Sequence, residues 1–283
     1  MVTRTPPPAP ILAELERQLE ALERSGVRWL NVGVAPELAP ARQEPPAAAP
    51  AAPGAPAAEP APAGNAGAAG AAAPALPSPE APVLAGLEER TGGLPHPSSL
   101  ETLAALRAAY ADCRNCTLCE TRTNVVFGVG SERPRLMFIG EGPGADEDAQ
   151  GEPFVGRAGA LLTGLIRAMG LVREDVYIAN VVKCRPPGNR NPEPGEIASC
   201  RPILQRQIEL LDPRLIVSLG NVPLKLFKPQ AAGITRERGT PFTYQRWQVL
   251  PTFHPSYLLR SPAAIETCWQ DFRKALRMAY PPP

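Results

Sequence analysis

Six cysteines, Cys113, Cys116, Cys119, Cys184, Cys200 and Cys268, all lie beyond residue 112 of the 283-residue chain. Cys113 and Cys116 form a CxxC in "CRNC", and Cys184 and Cys200 stand 16 apart around the loop "RPPGNRNPEPGEIAS". Two ligands from one turn and two from a long loop make a four-thiolate site, which holds zinc or an iron–sulfur cluster. Spacing alone does not separate these two. Nor does it dismiss Cys119, which extends the CxxC to CxxCxxC. Cys268 occupies an apolar position of the last helix and reads as core.

A second set of residues surrounds the stretch "GEGPGADEDAQGEPFVG", Gly140 to Gly156, which follows the apolar run "RLMFIG". Glycines after a strand suggest a phosphate cradle. Asp146, Glu147 and Asp148 would repel a phosphate, and Pro143 removes a backbone donor. The dinucleotide fingerprint also wants a helix that opens at once and an acidic residue about 20 positions on. The helical pattern here resumes only near Gly156, and no such acid follows. The glycines then serve close approach to a flat ligand. With Phe154 as a stacking face, a carboxylate at Glu141, an amide at Asn180 and an imidazole at His254, the pocket suits a nucleobase. The acidic trio reads as the lead into a helical turn.

The elements that must position these groups are legible as alternating strands and helices. Strands are expected over 135–140, 176–182, 214–219 and 247–253, and helices over 157–169, 195–211, 221–228 and 262–278. Another helix, with Ser99 as its N-cap, is expected before Cys113. Alternation implies a parallel sheet with helices on both faces, whose ligand lies beyond the carboxyl ends of the strands. Glu141, Asn180 and His254 all fall there.

The chain divides by composition. Residues 1–95 carry six Lys/Arg against ten Asp/Glu, and the remainder carries 23 against 18. The basic excess of the second part fits a polyanionic partner. Residues 36–95 are rich in Ala, Pro and Gly and form an expected disordered linker. Leu12, Leu15, Leu19 and Leu22 recur at helical spacing within 9–30, so residues 1–35 read as holding a short amphipathic helix. Such a helix could dock on a partner protein. Residues 96–283 form the folded domain. No apolar run is long enough for a bilayer and no signal-peptide core is present. A cytoplasmic monomer is expected.

Four stretches carry a family resemblance: "CRNC", "GEGPGADED" with "GEPFVGRAG", "NVVKCRPPGNRNPEPGEIASC" and "HPSYLLR". In this order the chain from about Cys113 to Ala279 resembles the family 4, iron–sulfur, uracil-DNA glycosylases. The resemblance implies an α/β/α sandwich with a four-stranded parallel sheet. It implies a structural 4Fe–4S cluster on Cys113, Cys116, Cys184 and Cys200, with no ligand role for Cys119 or Cys268. It implies action on uracil in single- or double-stranded DNA: Phe154 stacks on the flipped base, Asn180 and the backbone at Gly142 contact it, His254 donates to its O2, and Glu141 serves water and the sugar cation.

In "HPSYLLR", Ser256 is expected to hold a phosphate, Leu258 to wedge into the vacated stack and Arg260 to contact the backbone. Arg190, with Arg185, is expected to face phosphates from the loop. The family 1 pattern has Asp and Tyr where this chain has Gly142 and Gly144, so Glu141 must supply the carboxylate. A covalent relative, family X, uses a loop histidine, whereas the two histidines here are His96 and His254. A non-catalytic DNA-binding or polymerase-associated module is the reading from another functional class.

Overall fold

In a computed structural model, the structure describes residues 94–281. The expected helix within 9–30 and the linker, save its last two residues, lie outside them. Six strands form one sheet: β1 (Val129–Gly130), β2 (Leu136–Gly140), β3 (Tyr177–Asn180), β4 (Leu215–Leu219), β5 (Phe242–Tyr244) and β6 (Trp247–Thr252), in the order β1-β3-β2-β4-β6-β5. The inner four, β3-β2-β4-β6, pair in parallel as expected. The four-strand count is corrected by two short antiparallel edges, β1 on β3 and β5 on β6. β1 has only two residues, too few to show a period. β5 turns into β6 through Gln245 and Arg246, with Gln245 in the left-handed region (φ 51°). That turn lacks the Asn-Gly or Gly signals of two-residue hairpins.

Successive side chains of β2 alternate between two cores. Leu136 and Phe138 pack with Ile178, Val217 and Leu250 under α3 (Arg157–Ala168) and α8 (Ile265–Ala279). Met137 and Ile139 pack with Tyr177, Ile216 and Val249 under α4 (Pro194–Leu211) and α5 (Asn221–Phe227). This is the α/β/α sandwich. α1 (Leu103–Ala109) lies outside α4, joining Leu106, Tyr110 and Cys113 to Ile203. Its N-cap is Thr102 rather than Ser99: the Thr102 hydroxyl accepts from the amide of Ala105 at 3.1 Å, while Pro97–Ser99 forms a separate 3-10 turn. Of the remaining short helices, α2 (Ala145–Gln150) follows β2 and α7 (Pro255–Arg260) follows β6, while α6 (Ile234–Glu237) lies between α5 and β5.

Candidate functional site

The inner strands end on one rim, and a cavity of about 630 Å³ opens there, lined by Glu141, Gly142, Phe154, Asn180, His254 and Arg260 among others. Glu141, Phe154, Asn180 and His254, expected from the sequence to meet at one rim, share this cavity. β2 ends at Gly140, so Glu141 is the first residue past it. Its carboxyl is held above the usual carboxylate range by burial. β3 ends in Asn180, which is 2 % exposed, and its Oδ1 is buried with no hydrogen-bond partner. An unpaired buried acceptor costs about 1–3 kcal/mol, so a donor arriving in the cavity recovers that cost. Gly140 is needed for this packing, because a β-carbon there would stand 2.5 Å from both Asn180 Oδ1 and the Phe154 ring.

His254 caps α7. Its Nδ1 accepts from the amide of Ser256 at 3.1 Å and lies 2.7 Å from the Ser256 hydroxyl. An Nδ1 that accepts leaves the ring proton on Nε2. Burial, and then the nearby Arg260 charge, push the imidazole down to about 4, against the weaker pull of Glu147. His254 is therefore a neutral donor at pH 7. Its ring centroid lies 5.6 Å from that of Phe154.

The glycine loop differs from the sequence reading. A short helix, α2, already opens directly after Gly144, ahead of α3, which starts after Gly156 as expected. It still offers no phosphate cradle, since Glu147 takes the amides itself: Oε2 accepts from Gly144 at 3.0 Å, and Oε1 accepts from Val155 and Gly156, each at 3.0 Å. Glu147 lines the cavity and was missed as a site residue. Its place three residues after Gly144 is the spacing at which a carboxylate reaches back to a helix start. Asp148 is likewise structural, accepting from the amide of Thr123 at 2.8 Å.

Three other expectations are corrected. Leu258 is fully buried in the core, so it does not face DNA; the exposed large apolar residues of α7 are its neighbours Tyr257 and Leu259. Ser256 is engaged with His254 rather than left free for a phosphate. Arg190 pairs bidentately with the buried Glu196, at 2.9 and 2.7 Å, and so braces the loop instead of offering a free cation. Arg185 similarly donates to Asn189 at 2.7 Å. Arg260 forms no ion pair among the described residues and remains on the cavity wall.

The thiols gather as expected. Cys113, Cys116, Cys184 and Cys200 line one small cavity with Lys183 and Arg122, while Cys119 does not line it. Burial pushes Cys184 up to about 11 and Cys200 up to about 12. Arg122, another residue the sequence reading missed, ties the two segments: its Nη1 donates to the Cys113 carbonyl at 2.6 Å and lies 3.5 Å from Cys184 Sγ. Among the described residues, no three His, Cys, Asp or Glu side chains are grouped to hold a single metal ion. Cys268 is core, 3.3 Å from the Thr252 hydroxyl.

Residues 127–273 match the uracil DNA glycosylase superfamily. A type-4 uracil-DNA glycosylase of Thermotoga maritima is 54% identical over 151 residues, 53% of this chain and 79% of that protein. Type-4 enzymes of Archaeoglobus fulgidus and Sulfurisphaera tokodaii are 43% and 40% identical, covering 62% and 65% of this chain and 92% and 87% of their own lengths. With its sheet, its rim of polar groups and these relatives in agreement, the chain belongs to the uracil DNA glycosylase superfamily.

Proposed function

We propose that the chain is a monofunctional uracil-DNA glycosylase of base excision repair, hydrolysing the N-glycosidic bond of a flipped uracil to leave an abasic site. The observation that carries this is the buried, partnerless Oδ1 of Asn180, set among Phe154, Glu141 and the neutral His254. Asn180 Oδ1 accepts from uracil N3–H while its amide nitrogen donates to O4. Cytosine presents the reverse pattern at this edge. Phe154 stacks on the ring, and the Gly142 backbone borders it.

His254 donates through Nε2–H to O2. Negative charge grows on that oxygen as the bond breaks, so the donor binds the transition state more tightly than the ground state. Glu141, ionised, orients water and offsets the developing positive sugar. Flipping costs a few kcal/mol, least in single strands and at mispairs. With Leu258 buried, the residue that fills the vacated stack is its exposed neighbour Leu259, with Tyr257 beside it. Arg260 contacts the DNA backbone. The covalent route of family X has no support, since His254 is the histidine lining the cavity.

Cys113, Cys116, Cys184 and Cys200 would hold a 4Fe–4S cluster. The donor set fits: four thiols from two segments share one cavity, and their raised pKa values call for a strongly cationic group to keep them as thiolates. When bound, the cluster supplies cross-linking of residues 113–116 to the ends of the 184–200 loop rather than a redox step. Among the described residues no helix is long and apolar enough to cross a membrane. A cytoplasmic monomer, with residues 1–95 tethering the enzyme to a repair or replication partner, completes the reading.

The test is a gel assay on a labelled oligonucleotide with one uracil, single- and double-stranded. Alkali-dependent cleavage at uracil is expected. A heat-stable protein–DNA band would instead mean a covalent reaction, and no product from colour-bearing protein would leave a binding module.

A further inference from the structure

We propose that Arg173 is a positioning residue for Phe154, holding the aromatic in the backbone conformation that presents its ring to the base. The inference rests on the uracil-excision reading of the cavity. Phe154 has φ of 55°, in the left-handed region that a bulky aromatic avoids. Such a residue keeps that conformation only where its surroundings over-determine it.

The surroundings do so from both sides. On the amide side, Glu147 holds the next two N–H groups, of Val155 and Gly156. On the carbonyl side stands Arg173. Its Nη2 donates to Pro153 O at 2.7 Å and its Nη1 to Phe154 O at 3.1 Å, with Thr163 Oγ1 at 3.2 Å as a further acceptor. The fork thus spans two successive carbonyls, which the point charge of a lysine does not do in the same way. The first turn of α3 closes over the same place, since a β-carbon on Gly159 would overlap the Phe154 carbonyl.

Arg173 does not line the cavity, so it acts through Phe154 and not on the substrate. Its location has a logic of its own. Arg173 opens the 3-10 turn Arg173–Asp175 that leads into β3, and β3 ends at Asn180. One short segment therefore carries the clamp for the stacking ring at its start and the reader of the base edge at its end. Without the fork, residue 154 is free to relax to negative φ, which swings the ring away from Gly140 and Asn180.

The test is a double-mutant cycle under single-turnover conditions on a uracil oligonucleotide, with Arg173→Ala and Phe154→Ala alone and together. Arg173→Ala is expected to slow excision about 100-fold in the wild-type background and less than about 3-fold when Phe154 is already Ala. Equal losses in both backgrounds would overturn the proposal. Should Arg173→Ala not fold, Arg173→Lys in both backgrounds carries the same comparison, with a smaller loss expected. A crystal structure of the folded Arg173 variant gives an answer independent of activity. Residue 154 still at positive φ with its ring unmoved would refute the clamp, whereas a wild-type enzyme inactive on uracil would refute only the excision reading.

Discussion

Residues 180–184 serve two cavities of opposite character. Asn180 lines the base cavity, while Lys183 and Cys184 line the thiol cavity. The base cavity is finished before its ligand arrives: Arg173 donates to the Phe154 carbonyl, the Ser256 amide donates to His254 Nδ1, and His254 is already in its neutral donor state. Among its described lining residues, Asn180 Oδ1 is the buried side-chain acceptor left without a partner. The thiol cavity is unfinished by the same measure. Its cysteines are pushed toward the protonated form by burial, and Asn115 Oδ1 beside them is buried without a partner. Lys183 is buried, donating to the Asn180 carbonyl at 2.9 Å, with its ammonium lowered to about 7 by burial. The first cavity awaits a neutral ring. The second would gain stability from a group that keeps its thiols ionised.

The contrast is broken most severely at His254. Replacing it with Ala removes a donor that matters chiefly in the transition state, so single-turnover excision should fall about 10²–10³-fold. The melting temperature should fall by only a few degrees, as for the loss of the α7 cap worth about 1 kcal/mol, because the preorganised pocket does not depend on its ligand to fold. The pH profile sharpens the point. Glu141 works ionised and its pKa is raised, so the rate should climb with pH through a value above the usual carboxylate range. A second loss should appear as pH falls toward about 4, where His254 gains a proton and Nδ1 can no longer accept from the Ser256 amide. Glu141→Gln should lower the rate and erase the upper inflection only. A profile unchanged by Glu141→Gln would remove Glu141 from the chemistry.

The reverse pattern is expected at the thiols. Cys200→Ser should bleach the visible absorbance of the purified protein and lower Tm by about 10 °C, as for the loss of a ligand worth about 4 kcal/mol. Any fall in excision would follow the fall in folded protein. A Cys200→Ser protein of unchanged colour and Tm would show that Cys200 holds nothing.

What was legible in the sequence follows from the same physics. The four buried strands are apolar runs, and the rule that ligands gather beyond their carboxyl ends picked out Glu141, Asn180 and His254. The cysteines announced themselves by spacing. Groups whose role depends on side-chain direction were not legible. Arg190 reads as a loop cation until Glu196, six residues on, is found folded back beneath it. Glu147's bond to Gly144 follows a helix-start spacing, but its hold on Val155 and Gly156, and that of Arg173 on Pro153, reach distant backbone atoms that no local pattern encodes. The edge strands were missed because two residues, or a hairpin without glycine, carry too little signal.

α7 holds the smallest and most discriminating difference. Leu258 and Leu259 are adjacent, equally apolar and alike to any reading of composition. In the fold Leu258 is fully buried and Leu259 is 45% exposed, between Tyr257 and Arg260 of the cavity lining. Leu258→Ala should therefore act as a core truncation, costing about 2–5 kcal/mol of stability and affecting all substrates alike. Leu259→Ala should leave Tm in place and slow excision from duplex DNA about 5-fold more than from a single strand, since only a duplex leaves a stacked gap for a side chain to fill. An unchanged duplex-to-single-strand ratio in Leu259→Ala would transfer the wedge to Tyr257, whose ring is already braced 5.0 Å from that of Phe253. That bracing favours Leu259, because a side chain packed against its own helix start has less freedom to enter the stack.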